Sequence, residues 1–194
     1  MNKGRLEAFS DGMIGIFITI MVLELKRPVG SSAAALLPLW PVFLSYILSY
    51  IYIGIYWNNH HHLFQAVHTI NGRVLWANLH LLFWLSLVPL ITWWMGEEHF
   101  APVPVAVYGL ILLCAGCAYF ILTKTLLAIH DNTSVLAKAL GRDFKGKTSL
   151  VIYAIAVLLA CKRPVIACML YALVAVMWIV PDRRIERVLS DPLR

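Results

Sequence analysis

Polar and charged positions cut the chain into apolar runs of recurring length. Runs at about 6–25, 38–57, 74–95 and 103–127 are each about 20 to 25 residues long. At 1.5 Å per residue, that is the length a helix needs to cross a hydrocarbon core of roughly 30 Å. Lys26-Arg27-Pro28 closes the first run and Asn58-Asn59-His60-His61-His62 follows the second. Pro102 and Pro104 open the fourth, at positions where a helix tolerates proline because the first amides have no intrahelical acceptor. Pro89 lies inside the third run and predicts a kink, since it removes one backbone hydrogen bond. The stretch from Ser149 to Val180 is 32 residues long with Lys162-Arg163-Pro164 near its middle, so it predicts two short helices, 149–161 and 165–180, joined by a tight hairpin. The fifth run has only about 13 uncharged residues, roughly 20 Å, and must shelter in the bundle or use snorkelling lysines. The pattern therefore predicts an all-α integral membrane protein with six transmembrane helices in a single domain over 1–194.

Composition narrows the picture further. Of 194 residues, 61% are hydrophobic and 13% charged, and the mean hydropathy is +0.78, which excludes an ordinary water-soluble domain. Six spans and their loops leave no length for a second folded domain. The polar run Glu7-Ala8-Phe9-Ser10-Asp11 stands where a signal peptide would have its apolar core, so the first span is expected to be retained.

Charge then sets an orientation. The 16 basic residues against 10 acidic ones are spread between the apolar runs, which fits the positive-inside rule and argues against a nucleic-acid surface. Six spans put Lys3, Arg5, Arg73, Lys124, Lys138, Arg142, Lys145, Lys147, Arg183, Arg184, Arg187 and Arg194 on one side, and only Lys26, Arg27, Lys162 and Arg163 on the other. Both termini are therefore expected in the cytoplasm, with the chain in the cell membrane. The basic segment from Ala128 to Lys147 is expected to lie against anionic headgroups, with a cytosolic regulatory surface as the other reading.

Candidate chemistry is sparse. Cys114 and Cys117 form a Cys-x-x-Cys inside an apolar run, and Cys161 and Cys168 flank Lys162-Arg163-Pro164; all four are expected to be reduced packing residues. Three adjacent histidines on a helix point about 100° apart, so His60, His61 and His62 cannot share one metal ion. Hydrogen bonding at a helix end is the expected role for them. No serine triad order and no glycine-rich phosphate loop occurs, so neither an enzyme nor a bound cofactor or metal is expected.

The first span differs from the others. Only 12 residues separate Asp11 from Glu24, about 18 Å of helix, so Arg5, Ser10 and Asp11 must fall partly inside the membrane profile. Ionisable groups there have to face protein or water, which makes them candidates for function. Arg5 and Asp11 are about 120° out of phase on one helix, so their partners should come from neighbouring helices, with Asn58, His60, His61 and His80 the nearest polar candidates. Glu24, beside Lys26-Arg27, reads as a solvated or locally paired interfacial acid. Gly12, Ile16, Thr19, Ile20 and Leu23 share one helix face. Spacing alone leaves that face two readings: close helix packing, with Gly12 and Gly15 allowing approach, or four copies of the face around a pore.

Arg5-Leu6-Glu7-Ala8-Phe9-Ser10-Asp11 fits the pattern Arg-x-x-x-Phe-Ser-Asp at the start of a first membrane helix, intact at its four fixed positions. It resembles the transmembrane protein 175 family, the endosomal and lysosomal potassium channel with its bacterial relatives. Asn59-His60-His61-His62-Leu63-Phe64, following Tyr56-Trp57, is similar to bacterial members as well. The resemblance implies a potassium-permeable channel whose pore is lined by the first helix of each repeat; a chain with one repeat would have to assemble as a homotetramer. It further implies Ile16 as the main constriction, Thr19 as a hydroxyl beside it, and Ile20 and Leu23 as further apolar rings. Arg5, Phe9, Ser10 and Asp11 would belong to a structural polar network with Trp57 and one of His60 or His61. Potassium and other monovalent cations, membrane lipids and other copies of the chain are the partners it implies. A secondary transporter is the alternative from another class, disfavoured because the six spans show no inverted halves and no midplane acid. A non-conducting membrane assembly protein is the third.

Overall fold

The computed structural model describes residues 2–130 and 144–179. Lys138, Arg142, Arg183, Arg184, Arg187 and Arg194, and most of the 128–147 connection, lie outside them. Every regular element among the described residues is helical: α1 (Lys3–Leu23), a 3-10 turn (Ala33–Leu39), α2 (Trp40–Gln65), α3 (Gly72–Ser86), α4 (Val88–Glu97), α5 (Pro102–Leu127), α6 (Phe144–Ala160) and α7 (Pro164–Ile179). By length and composition, four segments can cross a membrane: 3–23, 33–65, 72–97 and 102–127. With α6 and α7 beside them, the described residues make six helical segments, the third interrupted at Leu87.

Local chemistry sets these boundaries. The Asn2 side chain accepts from the Arg5 amide and the Asn71 side chain from the Val74 amide, so each caps donors that the first turn leaves unpaired. Pro41, Pro89, Pro102 and Pro164 all sit in the first turn of a helix, where a missing amide is harmless. Pro89 also accounts for the break at Leu87, because it cannot donate to the carbonyl four residues back. The second helix runs to Gln65, eight residues past where the charge pattern placed the end of that span. The cause is local satisfaction of its polar side chains: Asn59 Nδ2 donates to the Ile55 carbonyl, and Gln65 Nε2 bonds His61 Nε2.

The core is centred on α5, whose Leu112, Ala115, Ala118, Leu122 and Leu126 are wholly buried. α3 and α4 cover one side of it, and α6 and α7 the other. Side-chain hydroxyls tie the layers together: Ser49 of α2 bonds the Tyr108 hydroxyl of α5 at 3.0 Å, and the Tyr52 hydroxyl donates to the Tyr171 carbonyl of α7 at 2.6 Å. Among the described residues the fifth segment runs over Phe144–Ala160, 17 residues, and its Lys145 ammonium lies over the Trp178 ring, 5.8 Å from the centroid. The Cys-x-x-Cys pair is unbonded, with Cys114 half-buried and Cys117 exposed.

One close approach fixes α4 against α2. A Cβ on Gly96 would lie 2.7 Å from the Val42 Cα and 2.6 Å from the Ser45 hydroxyl, and a backbone atom cannot yield as a side chain does. Gly96→Ala is expected to cost about 1–3 kcal/mol through overpacking, read as a lower midpoint in a thermal unfolding series of the purified protein.

Candidate functional site

α1 packs with one face only. Leu6, Ser10, Ile14, Phe17 and Met21, spaced at helical periods, are buried against α2, α3 and α4. The opposite face carries Phe9, Gly12, Gly15, Ile16, Thr19, Ile20 and Leu23, all exposed in the single chain. Ile16 is 51% exposed, Ile20 39% and Leu23 82%, and a Cβ added to Gly12 or Gly15 would meet nothing within 4 Å. The two glycines therefore leave that face smooth without serving any contact inside the chain. Thr19 donates its hydroxyl proton to the Ile16 carbonyl at 2.8 Å, which leaves the oxygen lone pairs directed away from the helix.

The N-terminal half of α1 is anchored from two sides. Lys3 Nζ donates to the carbonyls of Phe64 (2.7 Å) and Val67 (3.1 Å), at the C-terminal end of α2, where a cation suits the helix dipole. Deeper in, the Ser10 hydroxyl donates to the Leu6 carbonyl at 2.9 Å and accepts from Asn78 Nδ2 at 2.9 Å, and the Asn78 Oδ1 lies 2.7 Å from His60 Nε2. Ser10 and Asn78 are 0% exposed and His60 1%. Three helices thus meet in one buried chain of hydrogen bonds. Because Asn78 Oδ1 is an acceptor, His60 must carry its proton on Nε2.

Asp11 stands outside that chain. Its carboxylate accepts from Trp57 Nε1 at 3.0 Å on the exposed side of α1, and the Trp57 ring stacks on His61 with centroids 6.0 Å apart and planes 13° apart. The two histidines therefore divide the work: His60 reaches α1 through Asn78, and His61 supports the tryptophan that holds Asp11. Arg5 and Phe9 are exposed, and the Arg5 guanidinium has no partner among the described residues. Asn58 and His80 take no part; His80 accepts from Trp84 Nε1 on the surface of α3. Glu24 is exposed, and Lys26 pairs instead with Glu97 at 2.7 Å, joining the far end of α1 to the end of α4.

Sequence reasoning missed Lys3 and Asn78. Asn78 carried a usable signal, being an amide inside the apolar run 74–95 on the same helix face as the hydrophobic positions Val74, Leu81 and Leu82.

Comparison with known proteins bears on these features directly. Residues 5–89, which hold α2, most of α1 and the Ser10–Asn78–His60 chain, match the family model described as Endosomal/lysosomal potassium channel TMEM175. A protein named as a potassium channel from Chryseobacterium sp. (strain P1-3) is 53% identical over 191 residues, covering 98% of this chain and 100% of that one. The human endosomal/lysosomal proton channel TMEM175 is 37% identical over 79 residues, 34% of this chain and 16% of the human protein. Among solved structures, the crystal structure of a lysosomal potassium-selective channel TMEM175 homologue from Chamaesiphon minutus superposes with a TM-score of 0.78 at 26% identity, over 93% of this chain and 97% of that one. These relatives are channels and not enzymes, and the present chain is a multi-pass membrane protein belonging to the TMEM175 potassium channel family.

Proposed function

We propose that the chain is a potassium-permeable channel in which four copies of α1 line the pore. The observation that carries this reading is the exposed face of α1, apolar and smooth along its length while the opposite face is packed. In a bilayer such a face must meet lipid, another copy, or water and ions. Two features favour the last. The Asp11 carboxylate is exposed at the flank of that face near its N-terminal end, where lipid would penalise it by several kcal/mol. Thr19 presents oxygen lone pairs beside Ile16, a suitable contact for a passing cation.

Ile16, Ile20 and Leu23 then form successive apolar rings, Ile16 being the constriction. Ser10, through Asn78 and His60, and Asp11, through Trp57 stacked on His61, hold the mouth of the helix in place, with Arg5 and Phe9 exposed beside it. The sequence has no Thr-Val-Gly-Tyr-Gly loop, so ions are not sorted by a carbonyl cage. An apolar ring that strips part of the hydration shell favours the larger, less tightly hydrated cation, and gives a modest potassium over sodium preference. Gating by dewetting at the ring follows from the same geometry.

Recording from the purified chain in planar bilayers under opposed potassium and sodium gradients tests this. Discrete openings are expected, with a reversal potential between zero and the potassium equilibrium value. Because the human relative is named a proton channel, a pH gradient is applied as a third condition; reversal that follows protons alone would transfer the reading to proton permeation. Silence in every gradient would leave an assembly role, and flux that saturates with substrate would favour a transporter.

The proposed orientation, both termini in the cytoplasm of a cell membrane, has a native reporter. Cys161 lies exposed in the turn between α6 and α7, which is then external. A membrane-impermeant maleimide added to intact cells should label the chain, and Cys161→Ser should remove that label. Labelling only after lysis would invert the topology.

A further inference from the structure

A second site lies on the other side of α2 from α1. Between α2, α5 and α6, and bordered by Trp178 of α7, is an open cleft. Its walls are mainly rings: Tyr52, Tyr56, Tyr119, Phe120, Tyr153 and Trp178. Two observations mark it as a site rather than a packing defect. Tyr56 is only 9% exposed and lines the cleft, yet its hydroxyl has no hydrogen-bond partner among the described residues. The hydroxyl opens on the cleft and is left for an occupant to bond. Gly116, moreover, keeps the space open: a Cβ there would lie 2.9 Å from Leu150 Cδ2 and 3.9 Å from the Tyr56 hydroxyl, so any larger side chain would project into the cleft.

The lining also restricts the guest. Among the described residues no charged side chain lines the cleft, so an ionised guest would lose its hydration without a counter-charge from them. The Lys145 ammonium already covers the Trp178 ring, which disfavours a cation. An acyl chain alone would leave the Tyr56 hydroxyl unpaired. Flat aromatic walls favour a flat ring. We propose that the cleft between α2, α5 and α6 binds a neutral, planar-ring amphiphile with an oxygen that hydrogen-bonds the Tyr56 hydroxyl, the chemistry of a phenol or a ring ketone. The site is distinct from the pore face, and its occupancy can be read without ion flux, so it stands apart from the conduction reading.

The test uses 4-bromophenol as probe and bromobenzene as its hydroxyl-free counterpart, with the full chain in detergent and tryptophan fluorescence as readout. Bromine quenches a tryptophan that it touches. Saturable quenching by 4-bromophenol is expected, with the saturable part absent in Trp178→Phe and in Gly116→Leu. Tyr56→Phe, which keeps the ring, should weaken 4-bromophenol by about five- to tenfold and leave bromobenzene unchanged. The proposal is overturned by quenching that rises linearly with probe, as for partition into micelles, or by equal affinity for the two probes in the unmodified chain. Saturation unaltered by Gly116→Leu would also overturn it.

Discussion

Ile16→Asn is expected to raise resting potassium current at least tenfold and to move the potassium to sodium permeability ratio toward one. In the proposed tetramer, four copies of the substitution act on one barrier. A tenfold change in rate corresponds to about 1.4 kcal/mol, so each amide has to contribute only about 0.35 kcal/mol, well under one ordinary hydrogen bond to a passing ion or water. The branched Ile16 side chain, half-exposed on α1, offers such an ion nothing in exchange for its hydration. Asn supplies both a carbonyl oxygen and wetting, so the dewetted state loses its advantage. Ile14→Asn is the control, because Ile14 is 2% exposed against its own chain; it should reduce the yield of folded protein without raising current per channel. Unchanged current in Ile16→Asn would remove Ile16 from the constriction, and a larger effect of Leu23→Asn would shift the constriction toward the far end of the helix.

The helical segments were legible because charge and proline punctuate them. Lys26-Arg27-Pro28 lies in the connection after α1, and Lys162-Arg163-Pro164 spans the turn between α6 and α7 and opens the latter. A hydropathy pattern reads such breaks well, since ionised groups and helix-breaking residues are expensive at mid-membrane. It reads poorly a polar run whose hydrogen bonds are closed within its own helix. Asn59, His61 and Gln65 look like the water-facing end of a span in sequence, yet they bond one another or the preceding turn, and α2 continues through them. The polar partners of α1 were harder still. Helical spacing states which side chains share a face but not which neighbour that face meets. His80 and Asn78 were equally available by position; two residues of helix, about 200° of rotation, put Asn78 on Ser10 and turned His80 outward. For the same reason Ser10 and Asp11, adjacent in sequence, separate into a buried chain and an exposed pair.

That buried chain yields a second large effect with an informative sign. Asn78→Leu removes the partner of the His60 Nε2–H and one bond to Ser10 at once. Ser10 keeps its bond to the Leu6 carbonyl, but the His60 ring nitrogen is left buried and unpaired, at a cost of about 1–3 kcal/mol. For a chain of this size, each kcal/mol lowers the unfolding midpoint by roughly 2–4 °C, so a fall of about 2–12 °C is expected in detergent. If the chain of bonds contributes stability mainly by sparing buried polar groups, removing all of them together should cost less than removing one. The triple variant Ser10→Ala, Asn78→Leu, His60→Phe leaves no polar atom to satisfy and retains the ring contact of position 60 with Phe64, now at 4.6 Å between centroids. Its midpoint should therefore lie above that of Asn78→Leu alone. A triple variant less stable than the single one would mean that the hydrogen bonds themselves, worth up to about 1.7 kcal/mol each in membrane helices, hold α1 in place. The current then separates structure from role: α1 is the proposed pore helix, and Asn78→Leu frees it on the side facing α2 and α3. Any channels that survive should show altered open probability with unit conductance unchanged, since the side chains of the Ile16 ring are untouched.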